Sequence, residues 1–219
     1  MSRKPSTQVV AAVAKSAGYF AWLAKITAWK PSPPPSPAEV PASRSIVAPI
    51  NALTQGLRAL GVPVFWVLHA NTQLANKSDW EMFFKHVVAD EVRARTLQSL
   101  SPGRQSVWHE LQTAPQDVTV FKNRYSALIA GASTLEPMLR NFGIDTLLIA
   151  GTKTNICCES TARDAMMLDF KVVMVSDCCA ALSDDEHLAT LETFIQQFGD
   201  VMTGGEVLKA LKLPDPSAQ

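Results

Sequence analysis

Gly151-Thr152-Lys153-Thr154-Asn155-Ile156-Cys157-Cys158-Glu159-Ser160-Thr161-Ala162-Arg163-Asp164-Ala165 is the stretch that decides how this chain is read. It follows the apolar run Thr146-Leu147-Leu148-Ile149-Ala150, which has strand length and composition, and it leads into a helically patterned segment. Cys157 therefore falls at or near a helix N-terminus, where unpaired N–H groups and the positive end of the helix dipole favour a thiolate. The same pair also admits a structural reading, as small apolar residues buried at a strand-to-helix turn.

Outward from that stretch the chain alternates strands and helices. Ile46, Val47, Ile50, Leu53, Leu57 and Leu60 recur at helical spacing, Gly61 stops the helix, and Val62 to Leu68 reads as a buried strand. Residues 77 to 100 run at helical period, with Trp80, Phe83, Phe84, Val87 and Val88 available for core or a subunit interface. Asp117 to Lys122 is a short strand ending in a lysine, Leu135 to Phe142 a helix ended by Gly143, and Lys171 to Asp177 another strand. Ser183-Asp184-Asp185-Glu186 has capping-box spacing and opens a helix reaching toward Phe198; Val201 to Thr203 reads as an edge strand and Val207 to Leu211 as a closing helix. This order predicts an α/β fold, a mostly parallel sheet covered on both faces.

At 219 residues, 47% hydrophobic and 18% charged, one sizeable core is expected. Twenty basic residues balance twenty acidic ones, which gives nucleic acid and membrane surfaces no field to respond to and makes a small polar molecule the natural partner. The four cysteines form two adjacent pairs, neither a metal pattern nor a disulfide framework, so a reducing, cytoplasmic setting is expected.

Residues 1 to 41 differ from the rest. Up to Lys30 there are five basic residues and no acidic one, and Pro31, Pro33, Pro34, Pro35, Pro37 and Pro41 follow as a stiff spacer. Lys15 and Lys25 interrupt the apolar run from Gln8 to Trp29 and argue against a membrane span; a targeting segment and an unusual start to the folded domain are the other readings. We divide the chain into an atypical segment 1–41, a domain 42–213 and a tail 214–219.

Lys122 and Cys157 leave elements expected to be adjacent in one sheet, at the carboxyl ends where ligands of parallel sheets gather. A lysine at a strand exit is ordinarily a solvated charge; beside a thiol it stabilises the thiolate. At this point a resemblance becomes specific. Lys122-x-Arg124-Tyr125-Ser126-Ala127, Leu135-Glu136-x-x-Leu139-Arg140-x-x-Gly143-Ile144-x-Thr146 and Gly151-x-x-Thr154-Asn155-x-Cys157-Cys158-Glu159-Ser160-Thr161-x-Arg163-Asp164-Ala165 together resemble the isochorismatase-like cysteine hydrolase superfamily, over about residues 46 to 211.

The resemblance implies a Rossmann-like three-layer α/β/α sandwich, a homo-oligomer, and hydrolysis of a small amide or ureide without a cofactor. It implies Cys157 as nucleophile, forming a thioester acyl-enzyme, with Lys122 as catalytic lysine. It also implies a cis peptide at Thr152–Lys153, an oxyanion hole from the backbone N–H groups of Lys153 and Cys157, and Thr152, Thr154, Tyr125 and His69 toward the substrate. Cys158 is expected to pack, and Arg163 and Asp164 to fix the helix. No metal is expected, since His69 stands without an Asp-x-His cluster. One departure stands out. The family's general base is an aspartate at the end of the first strand, whereas here no aspartate precedes Asp79 and the one earlier carboxylate is Glu39 in the proline spacer. Gln8 to Val13 is the run expected to fill the first-strand slot, with Lys15 or Ser16 near the missing carboxylate. The departure leaves three readings: an altered N-terminal sequence, such as a frame error, ahead of an ordinary hydrolase; a non-catalytic oligomeric paralogue; or a different residue supplying the base. A separate alternative is an isochorismatase-type vinyl ether hydrolase, which needs no cysteine.

Overall fold

Apolar runs of strand length separated by amphipathic helices bury best as a parallel sheet between two helical layers. The computed structural model of the chain describes residues 6–7, 9–12, 41–75 and 77–212 and has that form. Its strands are β1 (Ser6–Thr7), β2 (Val9–Ala12), β3 (Val64–His69), the small hairpin β4 (Gln73–Leu74) and β5 (Lys77–Ser78), β6 (Val118–Lys122), β7 (Ile144–Thr152), β8 (Lys171–Ala180) and β9 (Asp200–Met202). The helices are α1 (Pro41–Ser45), α2 (Val47–Ala59), α3 (Glu81–His86), α4 (Asp90–Ser99), α5 (Leu135–Asn141), α6 (Glu159–Met167), α7 (Asp184–Gln197) and α8 (Gly204–Ala210).

The sheet runs β6-β3-β2-β7-β8-β9, with β1 also on β7, and each pairing is parallel. The first-strand slot is thus filled by Val9–Ala12, from within the expected run: Val9 to Ala11 pair with Val64 to Trp66, and Val10 to Ala12 with Ile149 to Gly151. Lys15, Ser16, the proline spacer and most of the Gln8 to Trp29 run lie outside the described residues. Among the described residues no helix is long and apolar enough to cross a membrane.

The period of two along each strand sorts its side chains into two cores. Phe65 and Val67, Leu147 and Ile149, Val172 and Met174 join Leu135, Leu139, Ala162, Leu191 and Phe194 of α5, α6 and α7. Val64 and Trp66, Leu148 and Ala150, Val175 and Cys178 join Ile50, Leu53, Leu57 and Val207 of α2 and α8. Each such Leu or Phe contributes about 1.5–3 kcal/mol by leaving water. The vicinal cysteines follow the same rule, with Cys179 in the first core and Cys178 in the second, and all four thiols are free. Gly61 (φ 73°) and Gly143 (φ 68°) end α2 and α5 in the left-handed conformation that side chains resist.

The 77 to 100 region departs from a continuous helical pattern. After the β4–β5 hairpin the helix breaks between α3 and α4, where Val88 N–H donates to the Phe83 carbonyl (2.9 Å) and Ala89 turns extended. Burying Val88 completely draws the chain inward at that point, so tertiary packing overrides the local period.

Candidate active site

The order of the strands reverses around β2: the chain moves outward through β3 and β6, then returns to β7 on the other side. In such sheets the crevice lies at the carboxyl ends beside the reversal. His69 ends β3, Lys122 ends β6, and Thr152 ends β7. Lys122 and the cysteine turn do not leave adjacent strands, as the sequence suggested; β3 and β2 stand between β6 and β7, a gap of about 14 Å at the usual strand spacing. The loop after β6 crosses that gap. Thr161 of α6 anchors it, accepting from Ala127 N–H (3.2 Å) while donating to the Cys157 carbonyl (2.8 Å).

The peptide Thr152–Lys153 is cis, as the resemblance implied. Thr154–Cys158 then forms a π-type turn running directly into α6; the Lys153 carbonyl accepts from Ile156 and Cys158 N–H groups, both at 3.2 Å. Cys157 thus sits in the first turn of a helical run, 2% exposed. Cys158 faces the first core with no exposure, and its hydrogen bond to Cys179, then burial, pushes its thiol well above the ordinary range. That is the packing role expected of it.

Lys122 is 1% exposed, so it is no solvated strand-exit charge. Its ammonium donates to the Tyr125 carbonyl. Tyr125 packs with Cys157 in a cluster of Phe83, Phe84, Val88, Leu100 and Trp80. Burial, and then the negative end of Cys157, push the Tyr125 phenol up. The aromatic residues expected as core are core, and they also wall Cys157. Trp80 stacks on Phe83 (4.6 Å) and on His69 (5.8 Å) and meets Tyr125 edge-on (4.8 Å).

His69 is fully buried, and its Nε2 meets Asn71 Oδ1 at 2.8 Å. Burial, then the neighbouring Lys122 charge, holds its pKa down to about 3, so the ring is neutral at physiological pH. Asn71 continues to Asp79 (2.7 Å), whose carboxylate also accepts from Thr72 and Asn123. Burial resists ionisation of Asp79, but these bonds outweigh it and hold the carboxyl below its usual value. Arg124 donates to the Asp79 carbonyl (2.9 Å) and lies over Trp80.

On the opposite rim, Thr154 is buried and its hydroxyl meets His187 Nδ1 at 2.9 Å. Lys153 is 7% exposed; burial lowers its pKa, against the fields of Cys157 and Glu186. Thr152 is half-buried at the end of β7. Arg163 is held by Glu159 (2.6 Å) and covers Phe198, the helix-fixing role expected of it. Sequence reasoning left Asn71, Asp79, Trp80, Phe83 and His187 out of the site. Polar Asn71 two residues beyond His69 was the available signal, at a strand exit where ligands gather.

A buried thiol and a buried lysine, brought to one crevice with a cis peptide before the thiol, can support nucleophilic attack on a carbonyl. A family model, that of the isochorismatase domain, matches residues 22–206. The chain belongs to the isochorismatase family. A cysteine hydrolase from Pseudomonas syringae pv. phaseolicola 1448A has the same fold, with a TM-score of 0.74 and 26% identity over 96% of each chain. Enterobactin synthase component B of Escherichia coli is 32% identical over 176 residues, covering 78% of this chain and 56% of the relative. Maleamate amidohydrolase of Pseudomonas putida is 32% identical over 99 residues, 45% of this chain and 46% of that protein. The chain thus spans about half the length of these curated relatives. Family relatives include hydrolases of small amides.

Proposed function

We propose that this chain is a cysteine hydrolase that cleaves a carbon–nitrogen bond of a small amide or ureide. Cys157 is the nucleophile: its sulfur bonds the carbonyl carbon, the C–N bond breaks, and ammonia or an amine leaves carrying the thiol's proton; water then hydrolyses the thioester, releasing the acid and restoring the thiol. Lys122 is its electrostatic partner, and the N–H groups of Lys153 and Cys157 receive the oxyanion, two donors that contribute a few kcal/mol to the transition state. Thr152, Thr154, Tyr125 and His69 face the substrate. The domain is residues 42–213, with its first strand supplied from the atypical segment before it; a homo-oligomer in the cytoplasm is the working state, with no cofactor, nucleic acid or membrane partner.

The observation that carries this proposal is the shared burial of Cys157 and Lys122 at one crevice, linked through Tyr125. Iodoacetamide should alkylate Cys157 well below pH 8, and C157A should remove the fast phase together with ammonia release from a panel of nicotinamide, maleamate and ureidoacrylate. A protein whose thiols all react no faster than free cysteine would sink the proposal. One observation favours a second reading, a non-catalytic paralogue: β2 ends at Ala12, and no aspartate precedes Asp79. General-base help is worth roughly 10²- to 10⁴-fold in rate. Fast alkylation of Cys157 without turnover of any amide in the panel would support that second reading.

A further inference from the structure

Asn71 is 2% exposed, and its side-chain nitrogen lies 2.7 Å from Asp79 Oδ1 and 3.2 Å from the Asn123 carbonyl oxygen. Both partners only accept. The nitrogen must therefore supply both of its protons there, and the reversed amide would set its oxygen against two acceptors. With that orientation fixed, Asn71 Oδ1 has no proton to give, so the 2.8 Å contact to His69 is a bond donated by Nε2–H. A neutral imidazole carries one proton; with it on Nε2, Nδ1 is left as a lone-pair acceptor. His69 and Lys122 are register partners on neighbouring parallel strands, so both side chains leave the same face of the sheet.

We infer that Asp79 and Asn71 are positioning residues that place the single proton of the His69 imidazole on Nε2, so that the ring keeps Nδ1 unprotonated on the sheet face it shares with Lys122. The groups around the ring divide: burial and Lys122 from β6 oppose protonation most strongly, the Asn71 bond and Asp79 favour it, and Arg124 from the loop after β6 opposes it most weakly. The Trp80 ring stacked on His69 adds no charge. The tautomer stands independently of the amide or ureide reading.

The tautomer is read directly by long-range proton–nitrogen NMR of the histidine ring in the full chain. His69 should show the Nε2–H pattern without change from pH 5 to pH 8. An Nδ1–H pattern, or titration within that window, overturns the inference. N71D replaces the neutral amide by a carboxylate facing Nε2–H, so its His69 should gain a proton as the pH falls through the window, and Cys157 alkylation by iodoacetamide should gain a matching pH step absent from wild type. An N71D protein with native circular dichroism and an untitrating His69 also overturns it. C157A should leave the NMR pattern in place. Loss of the hydrolase reading and loss of this one are thereby separable.

Discussion

Asp117 lies immediately before β6 and ties that strand's root to two other elements. Its carboxylate accepts from Arg58 Nε (3.0 Å) and Nη2 (2.6 Å) of α2, from Trp66 Nε1 (2.8 Å) of β3, and from Ala114 N–H (2.9 Å). The side chains of Arg58 and Asp117 are 13% and 3% exposed, and Trp66 is 1% exposed. D117A leaves a largely desolvated guanidinium and a buried indole N–H without this acceptor. Breaking one side of a buried pair costs about 3–5 kcal/mol, which in a chain of this size lowers Tm by roughly 6–20 °C. D117N keeps the shape and one acceptor but points an amide N–H₂ at donors, so it should fall between. Urea melts of wild type, D117A, R58A and the double variant should give a coupling energy of at least about 1 kcal/mol, as contacting groups do.

The same network predicts a pH dependence. Burial works against ionised Asp117, but the Arg58 and Trp66 bonds outweigh it and hold the carboxyl below its ordinary value. An unfolded aspartate titrates near about 3.9, so the stabilisation is complete above that pH and lost as pH falls through the lower folded value. The gap between wild type and D117A should therefore hold from pH 7 to pH 5 and narrow below about pH 4. A D117A protein within about 1 kcal/mol of wild type at pH 7, or a gap that widens in acid, would refute this account of how β6 is held.

Phe83 stacks on Trp80 and packs with Cys157, so F83A should cost about 3–5 kcal/mol in urea melts and speed alkylation of Cys157 by a bulky maleimide through the cavity it opens. At Gly199 an added Cβ would meet the Val172 carbonyl oxygen at 2.3 Å, whereas at Gly56 it would meet only the flexible Leu208 side chain at 2.7 Å. G199A should thus lose about 1–3 kcal/mol and G56A clearly less, by thermal melts of both. S183A removes the hydroxyl that accepts from Glu186 N–H (3.2 Å) at the start of α7, a loss of about 0.5–2 kcal/mol by the same assay.

Strands β3, β7 and β8 were legible because burial on both faces forces continuous β-branched and aliphatic runs, while β6, at the sheet edge with Thr119 and Phe121 exposed, was legible from its short β-branched composition. The caps of α5 and α7 were legible for an equally local reason, a left-handed Gly143 and the Ser183 hydroxyl. What local pattern cannot encode is strand order. Lys122 and Cys157 were read as leaving neighbouring strands, yet β3 and β2 lie between, and the loop after β6, held by the Ala127–Thr161 bond and by Tyr125 packed with Cys157, closes the distance. The Asn71–Asp79 relay escaped for the same reason: it joins groups eight residues apart through a hairpin whose fold the sequence does not announce. The break between α3 and α4 was decided by the burial of Val88, a tertiary demand that runs against the helical period of its neighbours.

Lys153 is a buried lysine beside the proposed nucleophile. Its side chain is withdrawn from water at the first residue after β7, where a methionine would pack with similar bulk and no desolvation. Burial lowers its pKa, and the fields of Cys157 and Glu186 raise it without overcoming that effect. A lysine whose folded pKa is depressed binds its proton less tightly when folded than when unfolded, so at neutral pH it subtracts from stability. The penalty is full below the folded pKa and vanishes once pH exceeds the unfolded value near about 10.4. K153M should therefore melt higher than wild type at pH 7, with the advantage shrinking as pH approaches about 10. K153M keeps the backbone N–H proposed for the oxyanion, so loss of ammonia release in this variant would assign the ammonium a part of its own at the reacting carbonyl, the pattern of a residue kept at a stability cost for its chemistry. A K153M protein less stable than wild type at pH 7 would show that its ammonium is worth more in contacts than it loses in desolvation, and would remove the reason to regard Lys153 as held there for function.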